Sequence, residues 1–195
     1  MIRRIEISAL LLIAALVFFR LIAGMQLHVF LRVLLVLISI FYMWFGFFIF
    51  TKMTLKDLSC PNKRKKLSPF KITGSISAGF IYSLSFIALI HVLDFYQGMH
   101  FLSGLAFFLN LGVLGLVGFF LYMKKEKDIF YLQFLKRSTV MVLLFLTTLI
   151  TPVEKRLDLL YKEHPGFIEA YTAYMEDPDD PERLNHLREE RSAFR

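Results

Sequence analysis

Long uncharged apolar runs alternate with charged segments along this chain. The three longest runs, Val33–Phe50, Ile72–Leu93 and Phe101–Met123, contain 18, 22 and 23 residues without Asp, Glu, Lys or Arg. A helix rises about 1.5 Å per residue, so about 20 apolar residues cross a hydrocarbon core of about 30 Å. The pattern therefore predicts an all-α fold, namely a polytopic membrane helix bundle.

Two further runs bring the predicted number of transmembrane helices to five. The start of the chain resembles a signal peptide, but Arg20 follows a short apolar stretch and Ala23-Gly24 is a poor cleavage site, so we predict an uncleaved first span, Ile5–Ala23. The fifth run, Ser138–Val153, has 16 uncharged residues and is extended if the helix begins near Ile129. The second span starts near His28 and runs to Phe50, the third begins after Lys71, and the fourth begins after Gly98 and Met99.

The charges between the runs predict an orientation. Residues 51–71 carry seven basic side chains and one acidic one, and residues 124–137 carry five basic and two acidic ones. With five crossings these segments share one side with Arg3 and Arg4, and short loops rich in Lys and Arg stay in the cytoplasm. We therefore predict a bacterial inner-membrane protein with a cytoplasmic N-terminus and an extracytoplasmic C-terminus.

The residues after the fifth run predict short amphipathic helices. Thr151 and Glu154 have the spacing of a capping box, with Pro152 at the first helical position. Pro165-Gly166 predicts a break, and Asp180-Pro181 is typical of the cap of a last helix. The chain is accordingly divided into a five-helix transmembrane bundle, 1–153, and a helical tail on the outer membrane face, 154–195.

Small residues on two spans predict where helices pack closely, because they let helix backbones approach in lipid. On the third span these residues are Gly74, Ser75, Ala78, Gly79 and Ser83, and on the fourth they are Gly112, Gly115 and Gly118. We expect the two spans to pack against each other through these faces, with oligomerisation as the competing use. The second span instead carries an aromatic ridge, for which lipid contact is expected; its members are Phe41, Tyr42, Trp44, Phe45, Phe47, Phe48 and Phe50.

Imidazoles and one carboxylate fall at the predicted outer ends of the spans. They are His28, His91, Asp94 and His100, with Arg20 and Arg32 at similar depth. Such groups can hold a transition metal or a haem or act as acid and base. Polar residues at span ends also meet headgroups and water, which is the interpretation we favour. We therefore expect no cofactor and keep a metal site as the alternative.

The densest basic run lies between the second and third spans. It comprises Lys63, Arg64, Lys65 and Lys66, and we interpret it as a topology determinant that also attracts anionic lipid headgroups. The formal net charge of +7 does not indicate nucleic acid, because the basic residues abut apolar spans. Nearby Cys60 is the only cysteine, which excludes an intrachain disulfide.

No catalytic sequence motif is present, and the middles of the apolar runs lack ionisable residues. The combination of small-residue faces, an aromatic ridge and an amphipathic tail favours a non-enzymatic subunit or assembly factor of a larger membrane complex, with membrane lipid and either a membrane-protein partner or a second copy as its contacts. An enzyme or redox subunit using the histidines is the alternative. A transporter or channel subunit is a weaker alternative, since transporters place ionisable groups near the midplane.

Overall fold

A computed structural model describes residues 28–59, 68–124 and 129–193, together with Ser8 and Leu12. The predicted first span therefore lies almost wholly outside the described residues, as do Cys60 and the basic run 63–66. The described ranges are helical, with no strand among them. The helices are α1 (His28–Thr51), α2 (Leu55–Leu58), α3 (Pro69–Leu93), α4 (Met99–Lys124), α5 (Ile129–Ile150), α6 (Val153–Tyr161), α7 (Pro165–Glu176) and α8 (Pro181–Ala193).

Four of these helices, α1, α3, α4 and α5, are long and apolar enough to cross a membrane. They correspond to the second to fifth predicted spans, and they define the chain as a membrane-type helical protein. The predicted count of five is not confirmed, because the first span is outside the described residues. Among the described residues, two compact units are distinguished: a bundle of residues 32–150, and a second unit of residues 151–193 together with residues 28–31.

Two helices of the bundle begin earlier than the uncharged runs alone indicate. Helix α3 begins at Pro69 rather than after Lys71, because the hydroxyl of Ser68 accepts a hydrogen bond from the backbone N–H of Lys71 and Pro69 fits the first turn. Helix α5 begins at Ile129, as the extended alternative predicted. Arg137 therefore lies eight residues inside this helix instead of at its start.

The helices of the bundle run antiparallel in chain order. The turn from α3 to α4 is short, and it places Phe95 and Gly98 at φ angles of 51° and 77°. Glycine tolerates this region, whereas Phe95 adopts it with its side chain buried. Near the opposite end of the bundle, the ring centroids of Phe70 on α3 and Phe120 on α4 are 4.6 Å apart. Phe120 in turn stacks on Tyr131 of α5, so the start of α3, the end of α4 and the start of α5 lie together.

The tail forms its own aromatic centre. The ring of Phe167 is buried, with the Tyr161 ring centroid 4.6 Å away and the guanidinium of Arg191 over its face. Arg183 joins α7 to α8 by donating to the carbonyl oxygen of Ala173 at 2.6 Å and to the carboxylate of Glu176 at 3.1 Å. These contacts let three short helices share one apolar centre.

The helix boundaries of the tail correct one sequence prediction and refine another. The prediction of a capping box at Thr151 is wrong, since α6 begins after Pro152 and its start has no side-chain cap. Pro165 begins α7, so the predicted break falls just before it rather than at Pro165-Gly166. The predicted cap of the last helix is confirmed, because the Asp180 carboxylate accepts a hydrogen bond from the backbone N–H of Glu182.

Candidate functional site

The polar groups of the bundle interior converge where α1, α3 and α5 meet. The hydroxyls of Tyr82 and Ser138 share a hydrogen bond of 2.7 Å, and Arg137 donates from Nε to the hydroxyl of Tyr42 at 3.3 Å. The Arg137 guanidinium also lies 5.1 Å from the centroid of the Phe50 ring. We call these five residues the tyrosine layer, and within it the rings of Tyr42 and Tyr82 are each 1% exposed.

Arg137 is a cation inside the candidate span α5, whereas the sequence pattern placed it at the start of a helix. Eight residues correspond to about 12 Å along α5. Its charge is accommodated by a phenol oxygen, by the carbonyl oxygen of Gln133 and by an aromatic face. A backward extension of α5 was the available signal, since it moves Lys136 and Arg137 from the loop into the span.

The tyrosine layer depends on a close approach of α1 and α3. A Cβ atom built on Gly46 would lie 2.6 Å from the Cα of Gly79, and one built on Gly79 would lie 2.7 Å from the carbonyl oxygen of Tyr42. Near this contact, the Ser39 hydroxyl lies 2.9 Å from the hydroxyl of Ser83 and donates to its carbonyl oxygen at 3.0 Å. Backbone contact in lipid is what small residues permit.

This arrangement differs from the predicted partnering of the small residues. Gly79 and Ser83 face α1, and Ser75 is fully buried. The glycines of α4 behave otherwise: Gly112, Gly115 and Gly118 have no described atom within 4 Å of a built Cβ. Gly79 packs on α1 because Gly46, the one glycine in the aromatic run of α1, lies directly opposite it.

Helices α3 and α4 do pack against each other as predicted, but their contact includes a polar pair rather than the glycines Gly112, Gly115 and Gly118. The side-chain amide of Asn110 donates to the hydroxyl of Ser85 and to the carbonyl oxygen of Ala106, both at 2.8 Å. Asn110 is fully buried, and its side-chain oxygen has no hydrogen-bond donor among the described residues. A group of this kind fixes the register of two apolar helices, because any slide leaves the amide unsatisfied.

The aromatic ridge of α1 divides between the interior and the surroundings. Tyr42 and Phe50 are buried, and the Phe50 ring stacks on Phe134 of α5 with centroids 4.4 Å apart. Trp44 is 70% exposed and Phe45 is also exposed. One side of the ridge is exposed, and its expected lipid contact stays a prediction, while its other side builds the tyrosine layer.

A second polar group joins α1 to α3 at the other end of the bundle. Arg32 Nε lies 2.6 Å from a carboxylate oxygen of Asp94, and the Arg32 guanidinium lies 5.9 Å from the Tyr96 ring centroid. Asp94 is 4% exposed, whereas the Arg32 side chain is 24% exposed. A buried carboxylate is costly without its partner, so this pair holds the start of α1 to the end of α3.

The predicted outer cluster is placed as follows. His91 has its Nδ1 atom 3.0 Å from the carbonyl oxygen of Ile87, and its ring contacts Tyr96 edge-on. His100 is exposed, and the side chain of His28 lies outside the described residues. Within the described ranges, no three His, Cys, Asp or Glu side chains are grouped to hold a metal, and Asp94 engages Arg32. A metal site that includes His28 stays a prediction.

A cavity lies between α3, α4 and α5, at the end of the bundle where α3 begins. Its volume is about 140 Å³, and its walls include Gly74, Ala78, Val117 and Phe134. Gly74 has no described atom within 4 Å of a built Cβ. The predicted small residues of the third span thus serve two surfaces, with Gly79 turned to α1 and Gly74 and Ala78 turned to this cavity.

Two ionisable groups of the tail, Tyr171 and Arg156, have pKa values that burial shifts from their ordinary range. Burial raises the pKa of Tyr171 to about 12, and the neighbouring Tyr174 adds to the shift. Burial also lowers the pKa of Arg156, which the nearby Tyr171 and Glu154 partly oppose. The raised pKa keeps the Tyr171 phenol neutral inside the tail and makes its packing sensitive to strongly alkaline pH.

The class of protein follows from the four long apolar helices and from the polar contacts between them. It is a helical membrane protein whose interior polar groups join its own helices. Comparison with protein-family models, with curated proteins and with solved structures finds no match to this chain. The function is therefore argued from the surfaces and contacts described above.

Proposed function

We propose that this chain is a non-enzymatic integral subunit or assembly factor of a larger bacterial inner-membrane complex, with its N-terminus in the cytoplasm. The observation that carries the proposal is the exposed face of α4. This helix is the least buried of the four candidate spans. The loop charges on the sequence support the orientation, and the exposed face supports the role.

The face of α4 has the chemistry of a helix-docking surface. Phe108 is 68% exposed and Phe119 is 58% exposed, so large side chains project beside the glycine positions. Gly112 and Gly115 are exposed and have no described neighbour within 4 Å of a built Cβ. Glycines flanked by large apolar side chains form a shallow groove, which admits the backbone of another membrane helix closely.

The polar contacts of the bundle favour a structural role over a transport role. The Ser39–Ser83, Tyr82–Ser138 and Asn110–Ser85 hydrogen bonds each join two helices. A transport pathway needs polar groups that substrate or water can reach at the midplane. Here the hydroxyl and amide groups of these contacts hold α1, α3, α4 and α5 together, and Arg137, the cation inside the candidate span α5, donates to the Tyr42 hydroxyl and to the carbonyl oxygen of Gln133.

Native mass measurement after mild extraction from the host membrane tests the proposal. A stoichiometric partner protein is expected, and Gly115→Leu should abolish its co-purification because the added side chain fills the groove. A photo-reactive residue at Phe108 should form an adduct with that partner. The matched control is Val140 on α5, which is 61% exposed and should give lipid adducts alone.

Three outcomes would overturn the proposal. A particle with the mass of one chain, combined with no protein adduct at Phe108, would remove the partner. A partner that is retained equally by the Gly115→Leu variant would show that α4 is not the docking surface. Recovery of a second copy of the chain alone would replace the hetero-complex with a homo-oligomer.

A further inference from the structure

Helix α8 presents few apolar side chains to the rest of the tail. Six of its 13 residues are Glu or Arg, and Leu187 is the one buried side chain within this helix, all of which the structure describes. Arg183 bonds the last turn of α7 through the carbonyl oxygen of Ala173 and the carboxylate of Glu176. A single buried leucine gives a helix little hydrophobic stabilisation, so charged side chains supply much of the attachment of α8.

A carboxylate of α8 lies at the start of α7. A Cβ atom built on Gly166, the second residue of α7, would lie 2.6 Å from Oε2 of Glu190, so this carboxylate rests on the backbone of the first turn. His164, which precedes α7, gives no side-chain cap. The N-terminal end of a helix carries a partial positive charge and its C-terminal end a partial negative charge. Glu190 and Arg183 are therefore each opposite in charge to the end of α7 that they contact.

The charged contacts between α7 and α8 are accessible to solvent. The side chain of Arg183 is 36% exposed, and that of its partner Glu176 is 69% exposed. Further along α8, the guanidinium of Arg191 lies 5.7 Å from the centroid of the Phe167 ring, over a side chain that is otherwise buried. Interactions between exposed charges are weak and are screened by salt. The attachment of α8 should therefore weaken as the ionic strength rises.

Helices α6 and α7 have an apolar contact of their own. The ring centroids of Tyr161 on α6 and Phe167 on α7 are 4.6 Å apart, and Leu157 and Ala170 of the same two helices are buried. Proteins open locally in cooperative units, and units with few buried apolar contacts open first. We propose that α8 is a releasable strap, which detaches from α7 while α6 and α7 stay packed together, and that its release uncovers the ring of Phe167.

Hydrogen exchange of the full-length protein in detergent micelles, followed by mass spectrometry of peptides from each tail helix, tests the proposal. A detached helix of 13 residues is marginal in water, so release exposes its amides to exchange. The protection of α8 amides should be about tenfold below that of α6 and α7, and raising the salt from about 0.05 M to about 1 M should widen this difference about threefold.

Two variants test the carboxylate at the start of α7. Glu190→Gln should raise the exchange of α8 about threefold, whereas Glu189→Gln, at an exposed glutamate of the same helix, should leave it unchanged. Gly166→Ala keeps the charge but places a methyl group 2.6 Å from Oε2, so the carboxylate must move away while α7 gains helix propensity. Exchange of α8 should then rise about twofold with no loss of protection in α7.

Three results would overturn the strap. Equal protection of α6, α7 and α8 at every salt concentration would show one cooperative unit. An equal response to Glu190→Gln and Glu189→Gln would remove the carboxylate from the attachment. Loss of protection in α7 together with α8 in the Gly166→Ala variant would show that α7 does not stay packed when α8 leaves.

Discussion

Gly79→Ala isolates the contact on which the bundle interior depends. The added methyl group would lie 2.7 Å from the carbonyl oxygen of Tyr42 and 3.1 Å from the Cα of Gly46. Ordinary van der Waals contact begins at about 3.4 Å, and both neighbours are backbone atoms that cannot rotate away. Helices α1 and α3 would therefore have to separate by several tenths of an ångström.

The expected change in the unfolding free energy of Gly79→Ala is the sum of three contributions. Overpacking of a close contact costs about 1–3 kcal/mol. The Ser39–Ser83 hydrogen bond near the contact would lengthen, and an interhelical bond of this kind contributes about 0.6 kcal/mol in a membrane protein. Replacing glycine inside a helix by alanine stabilises the helix by about 1 kcal/mol, which offsets part of this loss. The net expected loss is about 1–2 kcal/mol of unfolding free energy.

Reversible unfolding in mixed micelles, followed by circular dichroism, measures this difference. Gly104→Ala is the matched control, since Gly104 is also a helical glycine but has no described neighbour within 4 Å. The control gains helix propensity without a clash, so the two variants should differ by about 2–3 kcal/mol. Equal stability of the two variants would refute the close approach of α1 and α3, because the propensity gain is common to both.

Three further predictions concern the hydrogen bonds, the ion pair and the tail. Tyr82→Phe should lower the unfolding free energy by about 0.6 kcal/mol and no more than about 1.7 kcal/mol, and a double-mutant cycle with Ser138→Ala should recover most of that loss as coupling energy. Arg32→Ala should cost about 2 kcal/mol, below the 3–5 kcal/mol of a fully buried pair because Arg32 is partly exposed, and adding Asp94→Asn should restore part of it; independent losses in the double variant would argue against the pair. The pKa of Tyr171 is raised to about 12, so its stabilising contribution is complete below about pH 10 and is lost as the pH rises from 10 toward 12. Tyrosinate absorbance should show a late-titrating component that Tyr171→Phe reduces, and a titration unchanged by that variant would contradict the assignment.

The periodicity and length of the apolar runs were sufficient for the spans that the structure describes. An 18-residue uncharged run already exceeds what a soluble helix usually buries, so α1 was predictable at both ends. The start of α5 was less determined, because charged residues at 136 and 137 look like the end of a loop. Arg137 is accommodated inside the helix because it bonds Tyr42 and contacts Phe50, which are distant in sequence, whereas the side chain of Lys136 is exposed.

Helix pairing was harder to predict, for a physical reason. Small residues predict that another helix backbone approaches closely, but they do not identify which helix it belongs to. Glycines occur on three of the four long apolar helices that the structure describes, and the matching pair is decided by the position along the bundle and by neighbouring hydroxyls. Ser39 and Gly46 on α1 fall opposite Ser83 and Gly79 on an antiparallel α3, whereas the glycines of α4 have no hydroxyl partners beside them.

The polar contacts and the exposed glycines divide the bundle into two kinds of surface. Where a glycine comes with serine or tyrosine hydroxyls, as at Gly79, the helices of this chain bond to one another. Where glycines come with large apolar side chains alone, as at Gly112 and Gly115, the face is unoccupied by the described residues. In lipid, a polar contact cannot be exchanged for water, so the first kind of surface is committed to folding. A surface of the second kind loses little free energy when acyl chains cover it, so it can remain exposed until another membrane helix binds. For this reason the proposed interface is assigned to α4 rather than to α1 or α3.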